Sequence, residues 1–416
     1  MLIRRILIKH QEKSFILSDQ LIVSGVNFLL SIFLARKLGI HLFGTFATIQ
    51  LFQFFISSFH QALVITPLIT IFPTIRNKTK RNNMISTLLF VNIILVGFIF
   101  FIAFLSTMDI FNSVFSKYNF SGYAVATYIS TLITYEFIRK SLLTMKKYGK
   151  LIVVNSIAYI LPLITMAALS LIYKLSLNSV LYILSTFFTL SFILGGLLIK
   201  SSITIKNVKK RILLNTWKFS KWLVGKAIVQ WLSGNYFIVI AGLILGKNTI
   251  GVIRIVQNLF GVLNVLLMAI ENYLAIKSSA IYSHNGIKPL VKFQYHVLLR
   301  ISFFILFVLG AVSLFSQSII TTLYGVEYTE YYYLVYWFSI LYVIIFLNLP
   351  NRFVLRTLLK TNVIFYSYVA STIFSLLFAR PLINTYGIIG VVIGLIACQV
   401  IMFCWNQIIV FKYLNK

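Results

Sequence analysis

The chain has 416 residues, of which 60% are hydrophobic, 16% aromatic and only 11% charged, with a mean hydropathy of +0.95. A soluble domain is about half apolar and about a quarter charged. Continuous apolar runs of about twenty residues therefore exclude an ordinary soluble protein and, lacking the alternation of a β-barrel, point to an all-α polytopic membrane protein. The 37 Lys+Arg against 7 Asp+Glu, a net +30, would suggest nucleic acid on a soluble chain. Here the cations sit in short loops between apolar runs, which is the positive-inside topology signal and needs no nucleic-acid partner.

In chain order, the basic opening MLIRRILIKHQEKS leads straight into an apolar run with no small-residue cleavage site, and reads as a cytoplasmic segment before the first span. About twelve transmembrane helices are expected, near 15–36, 43–68, 84–107, 121–142, 151–173, 178–199, 220–243, 249–275, 293–315, 331–350, 363–380 and 386–410. This assignment puts Arg76, Lys78, Lys80, Arg81, Lys146, Lys147, Lys150, Lys209, Lys210, Arg211, Lys288, Lys292, Arg352, Arg356 and Lys360 on one side with both ends of the chain. Both termini are thus read as cytoplasmic. Tyr331, Tyr332, Tyr333, Tyr336 and Trp337 suit an aromatic belt at the outer interface. The surplus of cations suits an anionic membrane surface or an anionic lipid-linked substrate.

An internal repeat divides the chain. Leu38-Gly39, Gly44 and Gln50 match Leu245-Gly246, Gly251 and Gln257 at a constant offset of 207 residues, almost half the chain. The longest loop, from Lys200 to Lys218, falls between the copies. Two parallel lobes of six helices each are expected, with an N-terminal lobe over 1–205 and a C-terminal lobe over 206–416.

The second copy opens with the stretch Ser220–Ala275, two apolar runs meeting at Gly246-Lys247-Asn248-Thr249 and carrying groups that hydrocarbon rejects. Trp222, Lys226, Gln230 and Ser233 share one helical face, and Arg254, Gln257, Asn258 and Gly261 share another. These cations and amides either line a central cavity as substrate contacts or snorkel to headgroups. Arg300, about a third of the way into its run, poses the same choice. The repeat offset sets Asp19 opposite Lys226 in register, so Asp19 is either an ion-coupling carboxylate or a solvated helix-start residue. Glu271 is either a second coupling carboxylate or an interfacial partner of Lys277. Glu136, with Arg139 and Lys140 at i+3 and i+4, reads as a local salt bridge, and Thr127, Ser130, Thr131 and Thr134 form a hydroxyl stripe that lines a cavity or packs helices.

Enzyme constellations are poor. No P-loop occurs, the five histidines lack metal-binding spacing, Cys398 and Cys404 lie six apart in one apolar run, and the few acids leave little for acid–base work. Neither a metal nor a cofactor is expected; a proton or sodium gradient is the energy source open to such a chain. Pro67, Pro162 and Pro350 mark bends in the spans or are the ordinary prolines of membrane helices.

The run LARKLGIHLFGTFA (34–47) resembles the LAR-x-LG-x-x-x-FG signature of bacterial polysaccharide flippases in the multidrug/oligosaccharidyl-lipid/polysaccharide exporter superfamily. RKSLLTMKKYGK (139–150) is similar to the family's connection between the fourth and fifth spans, and 218–272 to the start of its second lobe. The resemblance implies an alternating-access flippase of the bacterial inner membrane, monomeric, with no enzymatic activity. Its substrate would be an undecaprenyl-diphosphate-linked oligosaccharide repeat unit for O-antigen or capsule, with membrane lipids and other polysaccharide-assembly membrane proteins as partners. Arg254, Lys226 and Arg300 would then meet pyrophosphate or acidic sugar. The other readings are a cation-coupled multidrug exporter of the same superfamily and, behind it, a polysaccharide polymerase or ligase, which would need a longer outer loop.

Overall fold

The structure, a computed structural model, describes residues 2–105, 121–199 and 208–414, and among these there is no strand. Helix α1 (Leu2–His60) bends at Gly39 and runs through a π turn (Gln61–Ile65) into α2 (Thr66–Ile71). Then come α3 (Lys78–Leu105), α4 (Gly122–Thr144), α5 (Tyr148–Asn155), a second π turn (Ser156–Ile160), α6 (Leu161–Ile172) and α7 (Leu177–Ile199). The chain continues as α8 (Lys210–Ile244), α9 (Lys247–Asn285), α10 (Ile287–Leu314), α11 (Ser316–Tyr324), a 3-10 turn (Val326–Tyr331), α12 (Leu334–Thr357) and α13 (Thr361–Leu414), which bends at Gly387.

Eight of the described helical stretches are long and apolar enough to cross a membrane. Two of them, 18–74 and 361–414, each hold two helices joined at a glycine, and α4 and α9, with 23 and 39 residues, are also long enough to span but carry more polar residues. The twelve expected spans are thus all present as helices. Their ends differ: α8 and α9 have 35 and 39 residues, well beyond the ~20 that hydrocarbon requires, because polar turns extend them past the apolar run. The short α11 and the 3-10 turn after it were not foreseen; nine residues of mixed polarity are too few for a periodic signal.

The chain divides into two compact units, Met1–Leu38 with Ile49–Ile228, and Gly39–Thr48 with Val229–Lys416. In the first, α4 packs along α7. Gly195 lets Ile138 approach so closely that an added Cβ would lie 2.2 Å from Ile138 Cγ2. Tyr135, Tyr159 and Phe188 form an aromatic cluster there, with Tyr135 stacked on Phe188 at 5.3 Å between ring centroids. In the second, α12 and α13 pack together, and the two arms of α13 fold back on each other so that Ser375 meets Cys398 at 3.1 Å. Phe260 stacks on Tyr342 at 4.7 Å, and Leu290, Val291, Val354, Leu355, Ile364 and Val410 form a buried cluster where α10, α12 and α13 converge. Large apolar side chains such as Phe98, Phe101, Phe303 and Phe307 stay exposed, as a lipid-facing surface requires.

The sequence repeat has a backbone counterpart. Gly39 (φ 70, ψ 171) and Gly246 (φ 93, ψ 169) adopt nearly the same left-handed, extended geometry, which a Cβ makes costly. Five residues on, Gly44 and Gly251 meet one another: a Cβ on Gly251 would stand 2.9 Å from Gly44 Cα, and one on Gly44 only 2.4 Å from the Lys247 carbonyl oxygen. Two equivalent positions of a repeat come into contact only where the copies of that segment cross. The crossing is sealed by Phe43, which is fully buried and packs edge-on to Tyr328. Glu327 Oε2 accepts a hydrogen bond from the backbone N–H of Ile40 at 3.0 Å, capping the arm that starts after Gly39.

Candidate functional site

Among the described residues, each unit holds a polar constellation built around an arginine within a helix. In the first unit, Asp19 on α1 is 4% exposed and Arg139 on α4 is 5% exposed. Arg139 donates from Nη2 to Asp19 Oδ2 at 2.9 Å and from Nε to Asp19 Oδ1 at 3.2 Å, a forked contact matched to the carboxylate. Its remaining arm, Nη1, donates to Glu136 Oε1 at 2.9 Å. Asn155, at the end of α5, donates from Nδ2 to Asp19 Oδ1 and accepts from Tyr135 Oη at 2.7 Å. A charge taken from water is tolerated only when paired and hydrogen-bonded, and Asp19 satisfies both conditions. The i+3 pairing of Glu136 with Arg139 is present, but Arg139 spans two carboxylates instead of one. Neither Arg139 as the partner of Asp19 nor Asn155 was foreseen, since they lie 120 and 136 residues from it.

Within the hydroxyl stripe of α4, Thr127, Thr131 and Thr134 turn back onto carbonyls of their own helix, and Thr134 Oγ1 also accepts from Asn92 Nδ2 of α3 at 3.4 Å. The stripe thus serves helix packing in part. Asn92 lies against His60, buried at the end of α1.

In the second unit, Arg254 is half-buried on α9 and donates from Nη1 to Gln257 Oε1 at 3.3 Å. It lies within electrostatic reach of Tyr324 on α11 and Tyr342 on α12, and Tyr342 Oη accepts from Asn264 Nδ2 at 3.0 Å. Gln257 and Asn258 are half-buried beside it. The structure therefore gathers Arg254, Gln257 and Asn258 with two tyrosines and an asparagine that periodicity did not single out. Lys226 and Gln230 are exposed on α8, next to Trp222 at 77% exposure, and Arg300 is exposed on α10. Ser233, on the same face as Lys226, is buried and bonded to the Gln230 carbonyl. The side chain of Glu271 lies outside the described residues. Among the described residues no three His, Cys, Asp or Glu gather as metal ligands.

The fold has solved counterparts. The chain superposes on an inward-facing multidrug resistance MATE family transporter of the MOP superfamily with a TM-score of 0.71 at 14% identity, covering 94% of this chain and 95% of that one. It matches the lipid II flippase MurJ in an inward closed conformation with a TM-score of 0.66 at 15% identity, over 95% and 86% of the two chains. The eukaryotic MATE transporter AtDTX14 matches with a TM-score of 0.62 at 15% identity, over 97% and 96%. At these identities the likeness is one of fold: an all-α, two-lobed membrane architecture shared by MATE transporters and MurJ. No protein-family model and no curated protein matches the sequence.

Proposed function

We propose that the protein is an alternating-access flippase that carries an undecaprenyl-diphosphate-linked oligosaccharide repeat unit from the cytoplasmic to the periplasmic leaflet of a bacterial inner membrane, for surface polysaccharide such as O-antigen or capsule. The observation that carries this reading is Arg254, a cation held within a membrane helix beside Gln257 and Asn258. A half-buried guanidinium is suited to an anionic cargo, and its planar fork fits a diphosphate. Lys226, Gln230 and Arg300, exposed on their helices, extend the same chemistry to acidic sugar or lipid phosphate. Coupling to a proton or sodium gradient is assigned to the first unit through Asp19 and to Glu271 in the second, with both termini cytoplasmic and the chain working as a monomer among other polysaccharide-assembly proteins.

The second reading, a cation-coupled multidrug exporter, is favoured by the MATE fold and by the buried carboxylates of the first unit. It is the weaker of the two, because Asp19 and Glu136 are already held by Arg139 and offer a cationic drug no open partner. The test is deletion of the gene in its own host. Surface polysaccharide should be lost while lipid-linked repeat units accumulate on the cytoplasmic side; normal export would overturn the proposal. Arg254→Ala should lower export at least tenfold with unchanged protein in the membrane, and Arg254→Lys should be milder. A fully active alanine variant would remove Arg254 from the substrate path.

A further inference from the structure

The ends of α4 and α12 repeat one another in the backbone. Lys146 (φ 59) and Leu359 (φ 57) are the non-glycine residues with left-handed geometry among the described residues. At the end of α4, Met145 N–H donates to the Ser141 carbonyl at 2.9 Å, Lys146 N–H to that of Leu143 at 3.0 Å and Lys147 N–H to that of Leu142 at 2.9 Å. At the end of α12 the same three bonds recur, Leu358 to Val354, Leu359 to Arg356 and Lys360 to Leu355, at 2.9, 3.0 and 2.8 Å. One helix-ending motif is thus used twice, at an offset of 213 residues. The lysine after it turns to a later helix of its own unit both times. Lys147 Nζ donates to the Leu198 carbonyl of α7 at 3.0 Å, and Lys360 Nζ lies over the Tyr413 ring of α13 at 5.6 Å.

In this register Arg139 coincides with Arg352, each five residues before the end of its helix. The arginine is kept and the groups that hold it are replaced. On Arg139, Asp19 fills the edge formed by Nε and Nη2, Glu136 takes Nη1, and Asn155 supports Asp19. The counterpart of Glu136 is Leu349 and that of Asn155 is Tyr368, while Asp19 corresponds to Lys226 in the register of the opening glycines. None of the three carries a carboxylate. Arg352 is half-buried, its Nε makes no hydrogen bond, and neither ion pair among the described residues includes it. The polar side chains on the same stretch of α12 have neutral partners: Asn348 is bonded to Asn406, and Asn351 to Gln407. Glu327 and Glu330 precede α12, roughly 30 Å from Arg352 at 1.5 Å per residue. A guanidinium edge at the margin of hydrocarbon is costly without an acceptor, and lipid phosphate supplies one there.

We infer that Arg352 is a binding site for a lipid phosphate, two of whose oxygens take the place that the Asp19 carboxylate fills on Arg139. Carboxylate and phosphate both match the planar fork of an arginine, so the second copy has turned an internal ion pair into one completed from outside the chain. In the expected topology Arg352 lies near the cytoplasmic end of α12, whereas Arg254 lies near the opposite end of the parallel α9. A phosphate entering from the cytoplasmic leaflet would meet Arg352 first and Arg254 later. That the phosphate belongs to the cargo rests on the proposed export; that Arg352 takes a lipid phosphate does not.

The test uses the purified full-length protein in two settings. In phosphatidylcholine nanodiscs it is titrated with farnesyl diphosphate, a short isoprenyl diphosphate. In nanodiscs containing phosphatidylglycerol, the lipids it retains on release are counted by native mass spectrometry. Arg352→Gln should weaken binding of at least one probe about fivefold or more, and Arg352→Lys, a point charge without the fork, should weaken it less. Leu349→Glu restores a carboxylate three residues before the arginine, the spacing of Glu136 and Arg139, and should abolish the same binding in a protein that stays monodisperse. Loss of farnesyl diphosphate identifies the diphosphate of an isoprenyl lipid as the ligand, and loss of phosphatidylglycerol alone identifies a phospholipid headgroup. Arg352→Gln that binds both probes as wild type does would overturn the inference, and so would a wild type that binds neither. Because no polysaccharide is measured, failure here leaves the export reading standing, and normal polysaccharide in the deletion strain leaves this site standing.

Discussion

Asp19 was legible as an acid in an apolar run, but its meaning depended on Arg139, 120 residues away. The Glu136–Arg139 contact was readable because side chains three apart share a helix face; no local rule brings α1 to α4. Removing one partner of a buried, hydrogen-bonded pair costs about 3–5 kcal/mol, whereas replacing both by apolar groups is often nearly neutral. Arg139→Leu is therefore expected to destabilise the protein by about that amount, read as a lower midpoint in thermal unfolding followed by size exclusion in detergent. The double variant Asp19→Leu/Arg139→Leu should recover most of the loss. If the double variant is no better than the single, Glu136 and Asn155 are the groups that determine stability here.

Among the elements, the arm of α1 that follows Gly39 carries the densest set of specific contacts. Its first N–H is capped by Glu327, and its glycine face lies on α9. Overpacking a tight contact costs about 1–3 kcal/mol, so Gly44→Ala and Gly251→Ala should each lower the unfolding midpoint clearly. Gly97→Ala, where an added Cβ meets nothing within 4 Å, should be neutral or raise it slightly, since glycine in a helix interior costs about 0.5–1 kcal/mol relative to alanine. Glu327→Ala removes an exposed cap and should cost about 0.5–1 kcal/mol. Equal midpoints for Gly44→Ala and Gly97→Ala would show that the crossing is not a close contact in the membrane. The glycines themselves were visible as a repeat; that they touch each other was not.

For the whole molecule, the expected division at 205/206 and the observed units invite one experiment. Residues 39–48 belong to the second compact unit although they come from the first copy of the repeat. A second half expressed alone as 206–416 would lack them and leave the carbonyl of Lys247 and the face of Gly251 uncovered. Expressed alone it should be poorly stable and aggregate. Co-expressed with 1–205 it should copurify as a single species, with at least a several-fold gain in yield. A monodisperse 206–416 fragment on its own would show that the exchanged segment contributes little.

Composition, run length and the cation bias were enough for an all-helical polytopic protein, because hydrocarbon forces every backbone polar group into internal hydrogen bonds and so restricts spanning chains to helices or barrels. The number of helices and the repeat also followed from the sequence, since spacing and periodicity are local properties. Partner choice was decided only in three dimensions. Arg139 for Asp19, Tyr324 and Tyr342 around Arg254, Glu327 on Ile40 and Asn92 beside His60 all join residues far apart in the chain. Which helix faces which is set by packing over the whole bundle, and a single sequence carries no direct record of it.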